Sequence, residues 1–220
     1  MLASTHNPHM SQLDQLIYSR RSIRKYKPAP PPVEWIKPMI MCAIQAPSPS
    51  NTQPVRFIKI SSDSKKYYIY EAITKAKDHL IARHQLLDIS KKVKNLINTY
   101  YRFSSFIIDA PWLFAVGVEN QANESFHNRL FNNGLANQKM ANDPNMDICV
   151  GLSVNSFLIK ATELGLGTCV LTAPLVFAPD IKKIPEWAHI DIKCLITAGF
   201  PDETPTAPPK KNFSDVFFEI

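Results

Sequence analysis

Glycine is scarce in this chain, at 6 of 220 residues, and cysteine is scarcer still, at 4. Gly165 and Gly167 do not make a Gly-x-Gly-x-x-Gly, and no strand, glycine-rich turn and helix unit surrounds them. That argues against a Rossmann dinucleotide site. Cys42, Cys149, Cys169 and Cys194 stand far apart among apolar neighbours, with no Cys-x-x-Cys and no histidine pair at metal-ligand spacing. They read as buried free thiols, and no metal is expected. No stretch approaches the roughly 18 uncharged apolar residues that a bilayer crossing needs. The opening residues MLASTHNPHM lack the basic and apolar regions of a signal peptide. A soluble, cytoplasmic protein without a membrane partner is the expectation. A nucleophilic triad also lacks support, because His84 and His127 have no paired Asp or Ser in a recognisable motif and read as surface or structural histidines.

What is present fits an enzyme subunit. With 45% hydrophobic residues, the chain can bury one sizeable core. The net charge of +6 is spread along the sequence instead of gathered in an aromatic-interleaved stripe. A phosphate-bearing small molecule accounts for it as well as a nucleic acid would, and no nucleic-acid partner is expected.

The hydrophobic pattern over Ser11 to Arg21 predicts a short helix that opens with a Ser-x-x-Asp capping box and ends near Arg20 and Arg21. After the prolines at 28–32, a second helix runs through Trp35, Ile36, Ile40 and Ile44, with Pro38 expected to kink it. Val55 to Ile60 reads as a strand, Lys65 to Ala82 and Ile89 to Phe106 as amphipathic helices, and Trp112 to Val118 as a buried strand. A helix from Asp147 to Leu164 is stopped by Gly165, and strands follow at Thr168 to Leu171 and Ile190 to Ala198. The sum is an α+β fold with about four strands. Residues 1–10 are expected to be disordered and 11–220 to form one domain. An Asn-rich excursion at about 119–146 reads as a lid, with Phe126 and Phe131 as its aromatic candidates. A C-terminal arm at about 201–220 ends in the apolar VFFEI, which needs a surface to cover; a partner subunit would supply one.

Two short segments offer chemistry. Arg20-Arg21-Ser22-Ile23-Arg24 carries three forked cations and a hydroxyl within five residues, which a phosphate monoester or an anionic ring can use. Alone it also reads as a solvated cluster complementing a helix C-terminus. Ala46 to Pro54, A-P-S-P-S-N-T-Q-P, is a proline-stiffened loop whose Ser48, Ser50, Asn51 and Gln53 present donors and acceptors. Alone it also reads as an ordinary polar connection.

In this order and at this separation, R-R-S-I-R-K-Y followed by A-P-S-P-S-N-T-Q-P-V-R-F resembles the N-terminal signature of the FMN-dependent nitroreductase family. Asp147 to Leu171, with its Leu-Gly-Leu-Gly turn, is similar to the family's central helix, and Ala198-Gly199-Phe200-Pro201 with Lys210 and Lys211 to its closing strand end and basic phosphate contact. The resemblance implies a nitroreductase-like mixed or antiparallel central sheet flanked by helices, in an interlocked homodimer with FMN sites built from both chains. It implies that Arg20, Arg21, Ser22 and Arg24 hold the phosphate, ribityl oxygens and pyrimidine edge, with Lys210 and Lys211 adding to the phosphate site. Pro47, Ser48, Ser50, Asn51 and Gln53 would come from the other subunit, and Leu171, Thr172 and Ala173 would line the ring near N5. NAD(P)H would reduce the flavin, and a nitroaromatic, quinone or other small organic oxidant would reoxidise it in ping-pong fashion. Arg24 would act as an electrostatic stabiliser, with no side chain assigned as a general acid. The same fold hosts dehydrogenation, reductive dehalogenation and flavin fragmentation, and a flavin-binding or partner-binding module with little turnover is a further alternative. Two departures stand out: Lys210-Lys211 replaces the Arg-Lys of many members, exchanging a bidentate grip for point charges, and Pro174 lacks a backbone donor beside the N5 loop.

Overall fold

The computed structural model describes residues 10–86, 90–119, 126–137 and 144–220. The expectations for residues 1–9, for the side chains of His84 and His127, and for much of the lid-like excursion lie outside the described residues. Within that excursion, a helix runs from Phe126 to Asn132, and its last carbonyls are satisfied by Gly134 and Leu135, which donate to Phe131 and Leu130.

Four strands form one sheet in the order β1-β2-β4-β3, where β1 is Val55–Lys59, β2 Trp112–Glu119, β3 Gly167–Leu171 and β4 Ile190–Gly199. All three pairings are antiparallel. β2 lies in the interior, and seven of its eight residues are buried, because helices cover both faces. On one side Trp112, Phe114 and Val116 meet Met39 and Ala43 of α2 (Ile36–Ala43) and Val154, Phe157 and Ala161 of α6 (Pro144–Glu163). On the other side Leu113 and Ala115 meet Ile69 and Ile73 of α3 (Asp63–Leu86), with Leu175 from α7 (Ala173–Phe177). Helix α4 (Lys91–Ser105) packs against α3 and α7.

The remaining α-helices among the described residues are α1 (Gln12–Ser19) and α5, the Phe126–Asn132 helix already described. The capping box of α1 is present, with Ser11 and Asp14 exchanging hydrogen bonds that hold the Asp14 carboxyl below its ordinary range. Helix α6 ends where expected. Gly165, at φ +76, and Leu166 donate to Thr162 and Ala161, the left-handed glycine termination of a helix. Pro38 departs from expectation. Helix α2 begins at Ile36, so Pro38 falls in its first turn, where a missing N–H has no helical partner to lose.

One irregularity sets which way β4 faces. Its register with β2 passes from Val116↔Cys194 to Gly117↔Ile192, leaving Lys193 as an extra residue in a β-bulge. As a result Ile190, Ile192 and Leu195 join one core, while Cys194, Ile196 and Ala198 join the other. Lys193 bridges Asp147 and Asp191, each at 2.8 Å. The bulge requires Gly117, since a Cβ there would lie 2.2 Å from the Asp191 carbonyl oxygen and 2.8 Å from Ile192 Cα. Both are backbone atoms in a paired strand and cannot step aside. Gly117→Ala is expected to destabilise the fold by about 3 kcal/mol, measured as a lowered urea midpoint at unchanged slope.

Candidate functional site

The arginine segment leaves α1 at Arg20 and runs extended along the free edge of β3. Ser22 forms a parallel bridge to Thr168, Ile23 N–H donates to Thr168 O at 2.9 Å, Tyr26 bridges Pro201, and Lys27 N–H donates to Phe200 O at 2.9 Å. This bridge is parallel, whereas the strand pairings are antiparallel. Space for this segment comes from Gly167 and Gly199, which face each other across β3 and β4. A Cβ on Gly167 would lie 2.6 to 2.8 Å from three atoms of Ile23, and one on Gly199 would lie 2.8 Å from Pro111 and 3.0 Å from Tyr26. The Tyr26 hydroxyl, which burial pushes well above its ordinary pKa, donates to Ile23 O at 2.6 Å and bonds Thr197 Oγ1 at 2.8 Å. It stays neutral and pins the segment to the sheet. Beneath it, burial raises the Cys169 thiol despite the nearby Arg24 charge, so this cysteine is a packed thiol.

Each arginine is held differently. Arg21 Nη1 donates to the carbonyls of Tyr18 and Arg20 at 2.6 and 2.7 Å, closing the end of α1. Arg20 lines a cleft of about 390 Å³ with Arg21, Ile23, Gly167 and Glu203. Arg24 is half-buried, its Nε has no hydrogen-bond partner, and its guanidinium carbon lies 5.0 Å from the centre of the Phe103 ring. The Arg24 and Lys25 backbone N–H groups both donate to Glu203 Oε1, at 2.5 and 3.1 Å. Thr168 Oγ1, on the adjoining strand, is likewise buried without a partner. The cleft itself is lined by Arg20 and Arg21, and neither Arg24 nor Thr168 lines it; a cationic edge of this kind suits an anionic, oxygen-rich ligand.

The second predicted segment lies elsewhere. Pro47, Ser48, Ser50, Asn51 and Gln53 precede β1, at the opposite edge of the sheet, and Pro47, Ser48 and Gln53 line a separate pocket of about 90 Å³. Three strand spacings, roughly 14 Å, separate β1 from β3. The two segments therefore do not meet within one chain. The loop is rigid: Ser48 Oγ accepts from Gln53 N–H at 3.0 Å, and Gln53 Nε2 donates to Asn51 Oδ1 at 3.0 Å. Ser50, Asn51 and Gln53 all have positive φ, at 50, 54 and 45°. Three such non-glycine residues in four positions is strain of the kind that binding loops retain.

Leu171, Thr172 and Ala173 lie on the same edge as the arginine segment, where β3 passes into α7, and Thr172 is exposed. Lys210 and Lys211 are exposed on the C-terminal arm and do not line the cleft. Arg20, Arg21, Ser22 and Arg24 thus lie along the β3 edge, the strand that ends in the 171–173 turn, whereas the 47–53 loop stands at the opposite edge of the sheet. Sequence reasoning missed Glu203 as the acceptor beneath Arg24. A Glu three residues after Phe200 carries no motif by itself; only the return of the chain beside residues 24–27 gives it a role.

A four-stranded antiparallel sheet between helical layers, with an arginine segment along one edge, defines the α+β nitroreductase fold. The chain belongs to the Nitroreductase family, whose model matches residues 17–200. It is 29% identical over 202 residues to an iodotyrosine dehalogenase 1 homolog of Caenorhabditis elegans, an alignment that covers 87% of this chain and 55% of that protein. The chain thus spans about half the length of that relative. Its fold is similar to a BluB-like flavoprotein from Clostridium difficile, with TM-score 0.77, 24% identity, and 96% and 100% of the two chains covered. It also matches an iodotyrosine deiodinase bound to FMN and 3-iodo-L-tyrosine, with TM-score 0.66, 20% identity, and coverage of 91% and 95%.

Gly167→Ala is expected to force Ile23 away from β3 and loosen the arginine segment. Stability should fall by about 2 kcal/mol, and the Ile23 amide should lose hydrogen-exchange protection ahead of the β2 amides.

Proposed function

We propose that this protein is an FMN-dependent oxidoreductase that works as a homodimer, using NAD(P)H to reduce a small organic oxidant such as a nitroaromatic or quinone. The observation that carries the reading is the arginine segment on the β3 edge, whose Arg20 and Arg21 line a cleft and whose Arg24 keeps an unmatched Nε, donors that suit a phosphate-bearing, oxygen-rich cofactor. Bound FMN would supply one- and two-electron chemistry through its ring, leaving the protein to bind, orient and tune it. Arg20, Arg21 and Ser22 would hold the phosphate and ribityl oxygens, with Lys210 and Lys211 as point charges. Arg24 would face the pyrimidine edge and stabilise the charge that builds up on reduction. The turn at Leu171, Thr172 and Ala173, of which Thr172 is exposed, would border the ring.

The separation of the two segments supports a two-chain site, in which Pro47, Ser48, Ser50, Asn51 and Gln53 come from a second copy. Apolar surface for that copy is present: Ile148 and Leu152 on α6, Leu13 and Ile17 on α1, and Phe217 and Phe218 on the arm are exposed. Patches of this kind mark association surfaces. No described helix is long and apolar enough to cross a membrane; the cytoplasmic location remains part of the proposal.

A second reading, reductive dehalogenation of a haloaromatic, is favoured by the likeness to a dehalogenase homolog and to a deiodinase. Anaerobic turnover separates the two. Nitroaromatic or quinone reduction without halide release supports the first reading, and iodide release from an iodophenol supports the second.

Three outcomes test the proposal. The purified protein, reconstituted with FMN, should show flavin absorption bands that bleach on anaerobic addition of NADH or NADPH; no flavin uptake would overturn it. Arg24→Ala should slow flavin reduction about 100-fold, the size of one lost electrostatic contact, while weakening FMN binding less. An unchanged reduction rate would remove Arg24 from its assigned role. Leu152→Asp, which places a charge on the exposed face of α6, should convert the dimer to monomer by light scattering and release the flavin with it.

A further inference from the structure

A half-buried guanidinium is ordinarily matched by a carboxylate or by well-aligned carbonyls. Arg24 has neither in full. Glu203, the carboxylate beside it, accepts from the backbone N–H groups of Arg24 and Lys25 and not from the guanidinium. Arg24 Nη1 reaches Ser22 O only at 3.5 Å, Nε has no partner, and among the described residues Arg24 makes no ion pair. Its firm side-chain contact is the face of Phe103, 5.0 Å away. Phe103 is 45% exposed and stands outside both core clusters, so the ring is not spent on core packing. An aromatic face attracts a cation through its quadrupole and carries no net charge. A carboxylate in the same place would hold Arg24 more tightly and cancel its field.

We infer that Phe103 is a positioning residue: its ring holds the Arg24 guanidinium in place without neutralising it, so that the full charge is available to favour the reduced over the oxidised flavin. The inference rests on the FMN reading above and adds to it a residue on α4 that sets the potential of the site without donating a hydrogen bond. Removing the ring frees Arg24 to turn toward water or toward Glu203, and either move weakens its field at the cofactor.

The test compares wild type, Phe103→Leu, Phe103→Met and Phe103→Tyr, each reconstituted with FMN. The two-electron midpoint potential is measured by dye equilibration and the affinity for oxidised FMN by fluorescence quenching; thermal melts check that each variant is folded. Phe103→Leu and Phe103→Met should bind oxidised FMN within about threefold of wild type and lose about tenfold in preference for the reduced form, a potential about 30 mV more negative. Phe103→Tyr, which keeps the ring face, should retain the wild-type potential. In an Arg24→Met background, Phe103→Leu should move the potential no further, since a positioning effect vanishes with the group positioned. A wild-type potential in both Leu and Met variants, or a shift that persists without Arg24, would overturn the inference while leaving the flavin reading intact. Failure of the wild-type protein to take up FMN would overturn both.

Discussion

The trough between Gly167 and Gly199 decides where everything functional in this chain can sit. Paired across β3 and β4, the two residues leave a strip of sheet without side chains, and Ile23 and Tyr26 lie close over it. The backbone of residues 22–27 is thereby drawn to the sheet margin, anchored at Thr168, Phe200 and Pro201. Side chains alternate along an extended segment, so with Ile23 fixed inward, Ser22 and Arg24 are turned the other way. The same segment covers an edge strand that would otherwise present unpaired backbone.

This arrangement links packing to electrostatics. Glu203 is occupied by two backbone N–H groups, which ties the start of the C-terminal arm to the arginine segment and keeps its carboxylate off the Arg24 side chain. Tyr26, neutral and half-buried, bonds both the Ile23 carbonyl and the hydroxyl of the sheet residue Thr197. The cations are held by neutral groups: an aromatic face at Arg24 and helix-end carbonyls at Arg21. Their charge remains available to a ligand, at the cost of a half-buried guanidinium whose Nε is unmatched.

Much of this was legible beforehand. The helix and strand assignments agree with the structure because the apolar periodicities are long and the stop signals chemical, as at Ser11 and Gly165. Pro38 misled because its effect depends on where a helix begins, and a shift of a few residues turns a kink into a tolerated first-turn proline. The bulge at Lys193 was not legible, since β4 alternates polar and apolar only up to Lys193 and its second half is apolar on both faces and carries no phase. The arginine and proline-serine segments were readable as chemistry, but their placement at opposite sheet edges was not, because strand order is a property of pairing and not of sequence distance.

By itself, the sequence determined the family, the α+β class, the position of the central helix and the residue types that present charge and hydrogen-bonding groups to a ligand. These are local or motif-borne properties, set by periodicity, capping and the spacing of residues close in the chain. The tertiary structure alone decided which of those residues meet, that Glu203 lies under Arg24 across 179 positions of chain, and that the ring of Phe103 rather than a carboxylate faces its guanidinium. Those contacts join residues far apart in sequence, and they exist only because β3 and β4 pair in one register and the chain returns beside its own beginning.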